Sequence, residues 1–117
     1  MPIYSKNSVF DPIERRKDGM RIVATRYWPR GMKTEVRDLY LPDLAPSKDL
    51  LRDFRSSEMT WREFAKRYRT EMQAQRSLIR TLHWLSESGD ALTVMCTCSN
   101  QERCHRKILA GLIEQGG

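Results

Sequence analysis

Hydrophobic and polar positions change period several times along the 117-residue chain, and each change predicts an element. Residues 91–96 form a short apolar run rich in β-formers, bounded by Gly89 and Asp90, which reads as a buried strand. Beyond a polar loop, Ile108, Leu109, Leu112 and Ile113 recur at helical spacing and predict an amphipathic helix ending near Gly116. Residues 21–28 are β-branched and aromatic, and predict a second strand stopped at Pro29 and Gly31. Residues 3–10 alternate weakly as a first strand, while Leu39, Tyr40 and Leu41 make a short edge-like piece stopped by Pro42. Ser47 is a good N-cap for a helix carrying Leu50, Leu51 and Phe54, which Ser56 and Ser57 end. Thr60 and Glu63 form a capping box ahead of a stripe of Trp61, Phe64, Ala65, Tyr68 and Met72. A further helix carries Leu78, Ile79, Leu82 and Leu85, with Gly89 as its C-cap and His83 and Trp84 beside the stripe. Strands interleaved with helices predict an α/β fold: a single small domain with a short, mostly parallel central sheet flanked by helices. No repeat or long linker divides residues 1–117.

Composition narrows the class. The chain is 39% hydrophobic and 31% charged, which fits a soluble globular domain rather than a disordered one. No apolar run approaches the length of a membrane span, and the opening residues are too polar for a secretion signal. The expected compartment is the cytoplasm, with no membrane partner. Three cysteines, an odd number, fit a reduced protein better than a disulfide scaffold. The formal net charge of +6 admits anionic partners, either a small molecule or nucleic acid. The basic helix face of Arg62, Lys66, Arg67 and Arg69 has two readings, a solvated surface or a phosphate-contacting one.

The chemistry concentrates where the last strand meets the last helix. All three cysteines (Cys96, Cys98, Cys104) and His105 fall there. His105 sits in the first helical turn on the apolar side, with Arg106 at that side's margin, so His105 points towards the strand ends, either as a cleft residue or as a core histidine bonded to a backbone carbonyl. Three chemistries compete. A loop entering a helix N-terminus binds anions through unpaired N–H groups, with Ser99, Asn100, His105 and Arg106 adding donors. Arg26 and Arg30, at the exit of the second strand, would join them if the two strands are neighbours. The second chemistry is nucleophilic or redox: Cys98 or Cys104 near a helix N-terminus, with His105 as base. The cysteine–five residues–arginine signature of tyrosine phosphatases is absent, since four residues separate Cys98 from Arg103 and six separate Cys96 from Arg103. Cys96, at the strand's end, also fits a small buried hydrophobe. The third is a metal site of Cys96, Cys98, Cys104 and His105, although Cys104 and His105 would diverge by about 100° if both were helical.

Several motifs together resemble a known family. Arg26-Tyr27-Trp28-Pro29-Arg30-Gly31, the Leu44-Ala45-Pro46-Ser47 turn, the helix from Trp61 to Tyr68 and the Cys104-His105-Arg106 ending occur in that order. The same order is found in the bacterial and archaeal family called domain of unknown function 488. The chain resembles its short, YeaO-like branch over nearly the whole length, while the Cys104-His105-Arg106 ending is similar to the longer branch. The resemblance implies a single small α/β domain with a central sheet flanked by helices; it implies no activity, and the cofactor stays open. The leading expectation is therefore a site for a phosphate-bearing or other anionic ligand at the strand ends, built from Arg26, Arg30, Ser99, His105 and Arg106. A thiol-dependent enzyme using Cys98 or Cys104, and a nucleic-acid-binding module, are the alternatives.

Overall fold

A computed structural model describes residues 3–4, 14, 18–28, 32–33, 37–56, 59–89, 91–96 and 104–116. In chain order these form β1 (Ile3–Tyr4), β2 (Met20–Val23), β3 (Leu39–Tyr40), a 3-10 turn (Pro42–Leu44), α1 (Lys48–Arg55), α2 (Trp61–Met72), a second 3-10 turn (Gln73–Gln75), α3 (Arg76–Glu87), β4 (Leu92–Met95) and α4 (His105–Gln115). The strands make one sheet in the order β1-β4-β2-β3, parallel at every pairing. The fold is α/β, as the patterning predicts.

The caps explain where the helices begin. Ser47 Oγ accepts the Leu50 N–H at 3.1 Å, and Thr60 Oγ1 accepts the Glu63 N–H at 3.1 Å. The buried stripes of α1, α2, α3 and α4 then meet one face of the sheet. Leu50, Phe64, Tyr68, Ile79, Leu82, Leu109 and Ile113 pack with Ile22, Ala24, Leu92 and Val94 in a single core. Each such side chain, fully withdrawn from water, contributes roughly 1.5–3 kcal/mol. The opposite face buries Val23 and Met95 under Trp28, Met32 and Tyr40. Both faces of β4 are thereby covered, which is why its residues are continuously buried rather than alternating.

Some expectations shift. The second strand ends at Val23 rather than at Trp28. The Ala24 N–H still bonds the Met95 carbonyl at 2.9 Å, but Thr25 Oγ1 then donates to the Tyr27 carbonyl at 2.8 Å and turns the chain out of the sheet. Residues 26–28 are therefore a loop despite their β-forming side chains. The first strand is described at Ile3 and Tyr4 only, and the remainder of residues 3–10 lies outside the described residues. On α3, Leu85 is 38% exposed and Ser86 is buried in its place. At about 100° per residue, position 86 returns almost to the direction of Ile79, whereas position 85 lies well to one side. Ser88, not Gly89, is the C-cap of α3, and Gly89 follows with φ +154°. Gly19 has a stricter reason to be glycine: it sits at φ +65°, and a Cβ there would stand 2.1 Å from the Ala91 carbonyl oxygen. Among the described residues, no helix is long and apolar enough to cross a membrane.

Candidate functional site

The site begins with register. Val23 of β2 lies opposite Met95 of β4, so the two central strands leave the sheet side by side. Ala24, Thr25 and Arg26 on one exit therefore adjoin Cys96 on the other. This is the C-terminal edge of a parallel sheet, the side on which open α/β folds bind ligands.

One wall is the turn between β3 and α1, held by three side chains from elsewhere in the sequence. The Arg26 guanidinium donates to the Ala45 carbonyl at 3.0 Å and to the Pro46 carbonyl at 3.2 Å. The Tyr68 hydroxyl donates to the Leu44 carbonyl at 2.6 Å. The Glu71 carboxylate accepts from the Ser47 N–H at 2.9 Å and the Ser47 hydroxyl at 2.5 Å. Burial raises the Tyr68 phenol well above its usual range, with the neighbouring Cys104 adding to the effect, so it remains a neutral donor. These bonds give the Leu44-Ala45-Pro46-Ser47 motif a physical role: a rigid turn whose orientation α2 and the β2 exit both fix.

The floor is the start of α4. Cys104 is the N-cap, in an extended conformation (φ −133°, ψ 141°), and not a helical residue. The expected 100° divergence of Cys104 and His105 therefore does not hold. His105 Nδ1 lies 3.7 Å from Cys104 Sγ, and the sulfurs of Cys96 and Cys104 are 2.7 Å apart. His105 Nε2 donates to the Ala24 carbonyl at 2.6 Å. A carbonyl only accepts, so Nε2 carries a proton, and in its neutral form the ring turns the Nδ1 lone pair towards Cys104. Tyr68 stacks edge-on to the imidazole at 5.5 Å. Arg106 is buried, and its Nη1 donates to Cys96 Sγ at 3.6 Å.

A cleft of about 260 Å³ opens above this floor. Cys96 and His105 form its base, Ala45 and Pro46 a side, and Arg26, Tyr27, Trp28 and Arg55 its rim. Lys48 stands beside it, its ammonium 5.5 Å from the Tyr27 ring centroid, and the hydrogen bond with Tyr27 raises its pKa. Of the sequence candidates, the fold brings Arg26, Cys96, Cys104, His105 and Arg106 together. Arg30, Cys98, Ser99 and Asn100 lie outside the described residues. The ligand atoms of Cys96, Cys104 and His105 all lie within 4.8 Å of one another, so three of the four proposed metal ligands converge. Arg55 escaped the sequence reading because it looks like an ordinary basic residue at the end of α1. The other basic face behaves differently: Arg62, Lys66, Arg67 and Arg69 are exposed on α2, and Arg67 pairs with Asp53 at 2.9 Å. His83 donates through Nδ1 to the Ile113 carbonyl, 2.8 Å away, tying α3 to the end of α4.

Comparison with known proteins adds a family. A family model described as the active DUF488-N3 subclade matches residues 5–117. The uncharacterized protein YeaO of Escherichia coli (strain K12) is 29% identical over 104 residues, covering 87% of this chain and 89% of that protein. The uncharacterized protein Rv3073c of Mycobacterium tuberculosis (strain ATCC 25618 / H37Rv) is 28% identical over 98 residues, covering 82% of this chain and 81% of its own. No solved structure matches the chain.

Proposed function

Because this chain belongs to the DUF488-N3 family, whose matching model is described as an active subclade, we propose that it is a thiol-dependent enzyme acting on a small anionic substrate. The substrate sits in the cleft at the sheet edge, and Cys96 at its base is the nucleophile. The observation that carries the reading is one juxtaposition: the sulfur that lines the cleft is also the sulfur that the buried Arg106 guanidinium reaches at 3.6 Å. A guanidinium beside a thiol favours the thiolate, which is the reactive form. The N-terminal end of α4 acts in the same direction. Arg26 and Arg55 give the rim its positive charge and select an anion, although the Nε and Nη2 groups of Arg26 already serve the Ala45–Pro46 turn. His105 is held by Ala24 as a neutral base beside the thiols. Reduced thiols of this kind belong in the cytoplasm, where we place the protein.

The experiment is site-resolved alkylation of the native chain with iodoacetamide near neutral pH, with and without a panel of anions (inorganic phosphate, sulfate and phosphorylated metabolites). Cys96 should alkylate fastest, at least one anion should protect it, and Arg55→Ala should weaken that protection. Equal slow rates at all three cysteines, or rates that no anion changes, would remove the proposal.

A further inference from the structure

A second cysteine stands against the first. Cys96 and Cys104 are 1% and 2% exposed, and their sulfurs are 2.7 Å apart, about 0.7 Å more than a disulfide bond of roughly 2.05 Å. The pair is held from both sides by regular structure: Cys96 follows directly on β4, and Cys104 caps α4. The two sulfurs also have different neighbours. Cys96 has the Arg106 guanidinium at 3.6 Å, and Cys104 has the lone-pair nitrogen of His105 at 3.7 Å. One sulfur is thus served by a fixed positive charge and the other by a base.

We propose that Cys96 and Cys104 form a reversible dithiol–disulfide pair that, beside acting on the anionic substrate, reduces small hydroperoxides, Cys96 attacking and Cys104 resolving. This rests on the reading of Cys96 as a thiolate at the base of the cleft. In the first step the Cys96 thiolate attacks the near oxygen of the peroxide. An S–O bond forms, the O–O bond breaks, and the departing oxygen takes from solvent the proton that Cys96 had released there, leaving as water or an alcohol. Cys96 is then a sulfenic acid. In the second step His105 Nδ1 takes the Cys104 proton, and the Cys104 sulfur attacks the Cys96 sulfur. The S–S bond forms, the S–O bond breaks, and the hydroxide leaves as water with that proton. Two thiols have supplied two electrons to one peroxide. An external dithiol returns the pair to its reduced form by thiol–disulfide exchange.

The same three side chains invite a zinc ion, but the charge beside Cys96 favours the covalent pair. The Arg106 guanidinium repels a cation.

The test uses the full reduced chain. It is treated with equimolar hydrogen peroxide, weighed intact, and mapped as peptides without reduction. The expected result is a mass lower by two hydrogens, a Cys96–Cys104 cross-link, and full reversal by dithiothreitol. Cys98→Ser should behave identically. Cys104→Ser should stop at a Cys96 sulfenic acid captured by dimedone. A cross-link through Cys98, no cross-link at all, or a chain that carries zinc and ignores peroxide until the metal is chelated would overturn the inference. The outcome separates from that of the substrate reading. Anion-protected alkylation of Cys96 without a disulfide removes only the redox pair; a disulfide without anion protection removes only the anionic substrate.

Discussion

Arg21 and Arg106 are both buried guanidinium groups beside the same two central strands, one near the start of β2 and one beyond the end of β4. Arg21 meets a carboxylate: its Nη1 pairs with Asp18, and its own backbone N–H donates to Asp38 at 2.8 Å. The Asp18 carbonyl is in turn bonded by the Thr93 hydroxyl at 2.7 Å, which locks the segment before β2 onto β4. Arg106 reaches a thiol at the base of a cleft. A buried charge beside a permanent counter-ion is a structural joint. A buried charge beside a titratable sulfur, on the reading proposed above, sets the state of that sulfur. The comparison teaches that burial of an arginine does not by itself mark a functional site.

The comparison can be pressed hardest at Asp18. Asp18→Ala removes the buried carboxylate that the Arg21 guanidinium meets, so unfolding stability should fall by about 3–5 kcal/mol in urea titrations. A loss below about 1 kcal/mol would mean that this end of the sheet is not a joint in the sense argued.

Tyr68→Phe is a smaller perturbation at the other end. It removes the donor to the Leu44 carbonyl, and should cost about 1–3 kcal/mol by the same titrations. It also has a pH signature. The folded phenol is held neutral well above the ordinary phenol value of 10.0, so its contribution is present below that value and declines as pH rises past it. The wild-type chain should therefore lose more stability than Tyr68→Phe between neutral pH and strongly alkaline pH. Parallel losses would show that this hydroxyl ionises alike in the folded and unfolded chains.

Most of the frame was legible because it is local. The β4–α4 junction, the Ser47 and Thr60 caps and the α2 stripe each follow from a few consecutive residues, and the structure forms each of them. What escaped depends on distant pairing or on a single backbone angle. The adjacency of the two strand exits comes from the β2–β4 register, which crosses some seventy residues of sequence. The meeting of Cys96 with Cys104 and His105 depends on Cys104 being extended rather than helical, a difference of one residue in where α4 starts. The pattern overextends strand two because Tyr27 and Trp28 are good strand formers, while Thr25 turns the chain away first. Arg55 reaches the rim only because α1 lies against the β2 exit, which no periodicity reveals.

The central claim is that Arg106 sets the state of Cys96. The pH dependence of Cys96 alkylation in the native chain, compared with Arg106→Met under the same conditions, tests it most directly. The account predicts a Cys96 midpoint below the ordinary thiol value of about 8.5, and a rise of roughly one unit, about tenfold in rate near neutral pH, on losing the guanidinium. A wild-type Cys96 that titrates as an ordinary thiol, or a midpoint that Arg106→Met leaves in place, would contradict it.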